Sequence, residues 1–227
     1  MSPYPFKKPK ASLLREQISD EIRQAILTGL IKPGDKLREL DIAEQMGVSR
    51  SSVREALLLL KQEGLVVTRP YKDTVVVQYS AKEIVEVLLP VRLTIELYAV
   101  RHGLPNMTEQ DAAAFAGYTD KMKDALKHGK QEAKKIILEN DIAFHNHLVK
   151  LCDSDNIHTI WAGIVNPIRL HFVERGKYDD YLTEIQHAEH RQLLDLFLGG
   201  DIEKIQEVLR EHITGEYAAK RYNIDLI

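Results

Sequence analysis

The sequence predicts a mainly α-helical protein: an N-terminal winged helix-turn-helix with a small β wing, followed by an all-α helical bundle. Three observations carry that prediction. A short amphipathic segment, a glycine and a second amphipathic segment succeed one another across residues 40–62. Two valine-rich stretches joined by a turn come directly after them. From residue 81 onward apolar residues recur at helical spacing and no strand pattern interrupts them.

Residues 1–10 hold three prolines and three lysines with no period, and are read as an arm outside the fold. Leu14, Ile18, Ile22, Ala25 and Ile26 define an amphipathic helix that ends at Gly29 and packs beneath the recognition helix. Lys32-Pro33-Gly34-Asp35 is a turn. Leu40 to Met46 forms a short helix and Gly47 turns the chain. Ser49 then caps a second helix from Arg50, because its hydroxyl accepts from an amide of the first turn. Val53, Ala56, Leu57 and Leu60 face inward, while Ser51, Arg54, Glu55 and Lys61 face outward. Small hydroxyls beside arginines suit a helix lying in a DNA groove, where they reach phosphates and base edges. The candidate DNA-contacting residues are Ser49, Arg50, Ser51, Ser52 and Arg54, with Arg38 before the motif and Arg69 and Lys72 in the wing. Gly64 ends the helix. Leu65 to Thr68 and Thr74 to Val77 read as the two wing strands, joined by a turn over residues 69–73. The competing reading is a small helical bundle with exposed charges; the wing and the order of elements favour DNA.

The domain boundary is expected at residues 78–81, giving domains 1–78 and 79–227, with Ser80 able to cap the first helix of the second domain. Six helices are predicted, at about 81–103, 108–128, 131–151, 155–175, 180–199 and 201–222. Pro90 lies inside the first and is expected to kink it. A chain of 227 residues that is 44% hydrophobic can bury two modest cores. The single cysteine, Cys152, excludes an internal disulfide framework. With no apolar leader and no membrane-length apolar run, the protein is expected to be cytoplasmic. Net charge is −3, but its distribution matters more than its sum. Residues 1–78 carry 13 Lys and Arg against 10 Asp and Glu, and residues 79–227 carry 18 against 24. The basic excess therefore sits with the helix-turn-helix, where phosphate contacts would use it.

In the bundle, the chemistry lies in titratable groups on apolar stripes. Ile137, Asp141, Phe144, His145 and Leu148 share one face, and Asp141 and His145, four apart, project together. His190 falls in line with Leu193, Leu194 and Phe197, and His212 with Ile205, Leu209 and Ile213. A buried carboxylate needs a cation or several donors. An aspartate and three imidazoles from three helices could converge on a divalent metal; equally, each histidine could be a satisfied core residue. His187, one turn before His190, is expected at the rim, and His147 points away from His145. His102, His128, His158 and His171 lack a carboxylate at ligand spacing and read as surface or packing residues. Arg92 shares a stripe with Val85, Leu88, Ile95 and Ala99, so it is either a buried ion pair, as with Glu96, or an anion clamp. Asn166 and Arg169 are further effector-pocket candidates; Trp161 reads as core.

Two resemblances sharpen this reading. Gly29-Leu30-Ile31-Lys32-Pro33-Gly34-Asp35-Lys36-Leu37-Arg38-Glu39, Gly47-Val48-Ser49-Arg50 and Val53-Arg54-Glu55-Ala56-Leu57 resemble the N-terminal domain of GntR-type transcriptional regulators. Ser52 replaces a frequent proline, which a first helical turn tolerates. Asp73 replaces a frequent wing-tip glycine, which argues against close minor-groove approach by the wing. Asn140-Asp141-Ile142-Ala143-Phe144-His145, Cys152 to Asn156, Glu189-His190-Arg191 and Glu211-His212 resemble the FCD ligand domain of the FadR branch. The resemblance implies Asp141, His145, His190 and His212 as ligands of a divalent transition metal, zinc or nickel, and Arg92 as a grip on an acidic effector. It implies a transcriptional regulator rather than an enzyme: a homodimer that binds operator DNA under control of a small carboxylate. The rivals are a metal-dependent hydrolase joined to a DNA-binding domain, against which no general-base glutamate stands at a His-Glu-x-x-His spacing, and a regulator whose metal is purely structural.

Overall fold

The computed structural model describes residues 12–68, 73–175 and 180–215. The chain divides into two compact units after Gln78. In the first, α1 (Ser12–Leu27) buries Ile18, Ile22 and Ile26 against α3 (Arg50–Gln62), while Leu14 is exposed, so the inward stripe begins one turn later than expected. Between them runs α2 (Glu39–Met46). Gly47 ends it in the left-handed region at φ 66°, a conformation a side chain resists, and its N–H closes the turn onto Ala43 and Glu44. Ser49 then caps α3, accepting from the Ser52 N–H at 3.2 Å.

Three antiparallel strands complete this unit in the order β1-β3-β2: β1 (Lys36–Leu37), β2 (Val66–Thr68) and β3 (Thr74–Val76). Val75 pairs with Lys36 on one side and Val67 on the other. The wing strands are those the valine pattern predicts. β1 is not: two residues show no alternation, and their partner lies far along the chain. The expected wing contacts Arg69 and Lys72 lie outside the described residues. Asp73 at the end of the turn is drawn back by Lys36, its carboxylate 3.0 Å from Nζ.

The second unit is helical among its described residues. Ser80 and Glu83 form a reciprocal capping box that opens α4 (Ala81–Glu83). A π-helical turn (Ile84–Leu88) leads into α5 (Leu89–His102). Pro90, expected inside a continuous helix, instead stands at the start of α5, directly after this turn. Proline has no N–H for residue 86 and its ring crowds that carbonyl, and the wider turn, with Leu89 N–H bonded back to Ile84, accommodates both. Next come α6 (Glu109–Ala125), α7 (Lys130–Lys150), α8 (Asp155–Arg175), α9 (Asp180–Gly199) and α10 (Ile202–Thr214). The expected extension of the last helix beyond residue 215 lies outside the described residues. At Gly103, after α5, the chain meets the end of α7 so closely that a Cβ would sit 2.8 Å from the Leu151 carbonyl carbon. Phe115, Phe144 and Phe197 join α6, α7 and α9 in an aromatic layer, with centroids 4.8 to 5.5 Å apart. No described helix is long and apolar enough to cross a membrane.

Candidate functional site

Asp141 and His145 on α7, His190 on α9 and His212 on α10 meet in the interior of the bundle. All four are buried, and one ligand atom from each lies within 4.8 Å of every other. His145 Nε2 stands 3.0 Å from His212 Nε2 and 4.0 Å from Asp141 Oδ1, and His190 Nε2 stands 3.3 Å from the same oxygen. Phe144 closes one side, its ring edge-on to His190 at 5.0 Å.

The outer nitrogens explain why the inner ones converge. His145 Nδ1 donates to Glu96 Oε2 at 2.5 Å, His190 Nδ1 to the Gln186 carbonyl at 2.7 Å, and His212 Nδ1 to Glu189 Oε2 at 2.8 Å. Carboxylates and carbonyls only accept, so each Nδ1 carries the proton. In a neutral imidazole that leaves Nε2 with a lone pair, and all three lone pairs point into one space with the Asp141 carboxylate. Burial, assisted by Arg92, pushes His145 below the ordinary imidazole range, which keeps it neutral. Burial works against the charge of Asp141, but a proton on His190 Nε2, or a metal ion in its place, together with the positive field of Arg92 holds the carboxyl well below its usual range. Two imidazole acceptors 3.0 Å apart need a cation or a proton between them. His190 Nε2 makes no well-formed hydrogen bond among the described residues, although Asp141 Oδ1 lies 3.3 Å away. Ligands ~2.1 Å from one ion lie roughly 3–4 Å from each other, so the four fit a single transition ion after small side-chain shifts.

Glu96 links this cluster to Arg92. Its Oε1 accepts from Arg92 Nε at 2.7 Å while its Oε2 takes the His145 proton, and both residues are buried. Burial raises the Glu96 carboxyl, but His145 and Arg92 outweigh it and hold the group below its ordinary range. Arg92 is thus the buried ion pair anticipated as one alternative. It also lines a small cavity with Asp141, His145, Trp161 and Arg169, so the second alternative stays open. Arg92 lies over the Trp161 ring at 5.9 Å. Asn166, on α8 and partly buried, is not among the described residues lining that cavity. His187, half-buried, lines a surface recess with Arg191, Asp195 and Lys204. His147 turns away, as expected, to Asp111 at 2.8 Å and Tyr118 at 3.3 Å. Sequence reasoning missed Glu189 and Gln186 as holders of His212 and His190. For His190 the available signal is local, the backbone carbonyl one turn before a helical histidine; nothing local marks Glu189 as the holder of His212.

On α3, Arg50, Ser51 and Arg54 are exposed and Ser52 half-buried, while Ser49 bonds to the hydroxyls of Ser51 and Ser52 at 2.9 and 2.8 Å. Arg38 is exposed, 4.0 Å from Asp41. Arg54 is held by Glu39, with Nε 2.8 Å from Oε1 and Nη2 2.7 Å from Oε2. Arg50 lies 3.6 Å from the same carboxylate.

Comparison with known proteins matches each of the two units to a known domain family. Residues 14–76 match the family described as bacterial regulatory proteins, gntR family, and residues 87–215 match the FCD domain. The regulator LutR of Bacillus subtilis is 35% identical over 210 residues, spanning 83% of this chain and 93% of LutR. The gluconate operon transcriptional repressor of the same organism is 27% identical over 82% of this chain and 77% of its own length. The solved structure of Escherichia coli McbR/YncC shares the fold, with a TM-score of 0.76 over 92% of this chain and 97% of that one at 22% identity. These domains and relatives are those of transcriptional regulators, not of enzymes, which sets aside the hydrolase alternative. The chain belongs to the GntR family of transcriptional regulators and carries an FCD domain after its helix-turn-helix domain.

Proposed function

We propose that this regulator, of the FadR branch, senses a small carboxylate through a divalent transition ion, zinc or nickel, held by Asp141, His145, His190 and His212. The observation that carries the reading is the convergence of three imidazole Nε2 atoms on one carboxylate, each ring fixed from behind by an acceptor on Nδ1. When bound, such an ion supplies a Lewis-acidic anchor for a carboxylate or hydroxyl oxygen. Arg92 and Arg169 supply positive charge at the neighbouring cavity, and Asn166 lies one turn from Arg169 on the same helix. The gluconate operon repressor among the relatives supports a hydroxy or sugar acid as the effector class.

The DNA half of the proposal assigns base and phosphate contacts to Ser49, Arg50, Ser51, Ser52 and Arg54, with Arg38, Arg69 and Lys72 as flanking phosphate contacts. The protein acts as a cytoplasmic homodimer, since one recognition helix covers too few bases and two-fold symmetry matches a palindromic operator. Val87 in the π-helical turn and Val91 and Tyr98 on α5 are exposed and offer an apolar stripe for such pairing. Effector binding must favour one dimer geometry over another to change DNA affinity.

The cavity is small, about 10 Å³, room for roughly one water molecule. A metabolite therefore needs the cavity to open. The same smallness favours a second reading, in which the ion only ties α7, α9 and α10 together. A thermal-shift screen of hydroxy and sugar acids separates the two. The proposal expects a hit whose stabilisation disappears on chelation and in Arg92→Ala, with the fold intact by circular dichroism. A hit that stabilises chelated protein equally would leave the metal a structural role.

A further inference from the structure

We infer that Glu39 is a positioning residue for DNA recognition: it grips Arg54 on two atoms, presents the outer edge of that guanidinium to a base, and shields Arg54 from non-specific phosphate binding. The inference rests on the assignment of Arg54 to the groove-facing side of α3. Its own observation is a side-on, two-point pair between the first residue of α2 and the recognition helix, 2.8 and 2.7 Å long. Arg50 joins it at 3.6 Å, so one carboxylate serves both arginines.

Stability does not account for the pair. The Arg54 side chain is 60% exposed and Glu39 25%, and an ion pair in such a setting contributes little to folding. Recognition does account for it. A guanidinium has five N–H donors in a fixed plane; Glu39 occupies Nε and one proton of Nη2. The donors left over are those of Nη1 and the outer proton of Nη2, a fork that matches two adjacent acceptors such as guanine O6 and N7. Arg54 thereby enters the groove with its long side chain already oriented. The hydrogen bond from Arg54, foremost, holds the Glu39 carboxyl below its ordinary range, so it is charged at neutral pH. A charged carboxylate beside both arginines repels phosphate oxygens wherever the base contact is missing. Glu39 therefore raises the ratio of specific to non-specific affinity rather than affinity as such.

The test uses the full chain and two DNA probes: a duplex selected from a random-sequence pool by the unaltered protein, and a duplex of equal length lacking the selected motif. Titrations at several salt concentrations give both affinities. Glu39→Gln removes the charge and should lower the specificity ratio about tenfold, the size of one misaligned base contact. Its non-specific binding should strengthen, with a salt slope steeper by about one. Glu39→Asp keeps the charge but is a methylene too short for the two-point grip. It should lower the ratio without strengthening non-specific binding. Arg54→Ala, in parallel, should lose operator affinity. If Arg54→Ala loses it while both folded Glu39 variants keep the wild-type ratio within about twofold, the positioning role is overturned and the base contact stands. If Arg54→Ala binds the operator normally, the base contact itself is wrong and Glu39 has nothing to position.

Discussion

Two arginine–glutamate pairs of the same length sit in opposite settings. Arg54–Glu39, in the DNA-binding unit, and Arg92–Glu96, in the bundle, both close to 2.7 Å. The first is exposed. The second is 4% and 0% exposed, and its carboxylate is shared with a buried imidazole. Water screens the first pair, so its geometry can be spent on an incoming ligand. The interior screens the second poorly, so its members depend on each other and on whatever His145 faces. Identical chemistry thus serves recognition at the surface and organises a polar interior in the core.

The comparison breaks most readily at Glu96. Glu96→Ala leaves a buried guanidinium without its glutamate and His145 Nδ1 without its acceptor. We expect a loss of about 3–5 kcal/mol in urea unfolding. A loss under ~1 kcal/mol would show that the core pair is no more coupled than a surface one. Glu39→Gln, by the same measurement, should cost less than ~1 kcal/mol, because the pair it removes is solvated. A cost comparable to that of Glu96→Ala would erase the distinction between the two settings.

The smallest expected effect concerns Asp111, which lies between the settings. It closes the capping box of α6 with Thr108 and accepts from His147, and those bonds, Thr108 foremost, lower its carboxyl to about 2. A depressed carboxylate contributes stability that is complete above its unfolded value, near 3.8, and is lost as pH falls from there through about 2. Solvent screening keeps this contribution below that of a typical cap, ~1 kcal/mol. Asp111→Asn should therefore lose that small contribution at neutral pH, with the difference from the unaltered protein shrinking as pH falls from about 3.8 through about 2, so the acid limb flattens slightly. An unchanged acid limb would show that Asp111 contributes nothing to acid stability.

How much of the fold and the site is legible in the sequence depends on how far apart the partners lie. Gly47, the Ser49 cap and the inward stripe of α3 act within a few residues, and the helix-turn-helix can be read from them directly. Asp141 and His145 are visible as an i, i+4 pair, and His190 and His212 as polar breaks in apolar stripes. The holders of the three Nδ1 atoms are harder. Glu96 is 49 positions from His145 and Glu189 is 23 from His212, and no local pattern announces such pairings. β1 escapes for the same reason, and the π turn because proline signals disruption without saying how the chain absorbs it. The Arg54–Glu39 grip also spans two helices, although both residues stand in the sequence as charges.

The central claim is that the buried aspartate and three histidines hold a transition ion, and elemental analysis of the purified protein tests it most directly. We predict about one zinc, nickel or similar ion per chain, lost together with thermal stability in the His190→Ala, His212→Ala double variant. Full occupancy in that double variant, or a wild-type protein that stays metal-free in excess zinc and nickel, would contradict it.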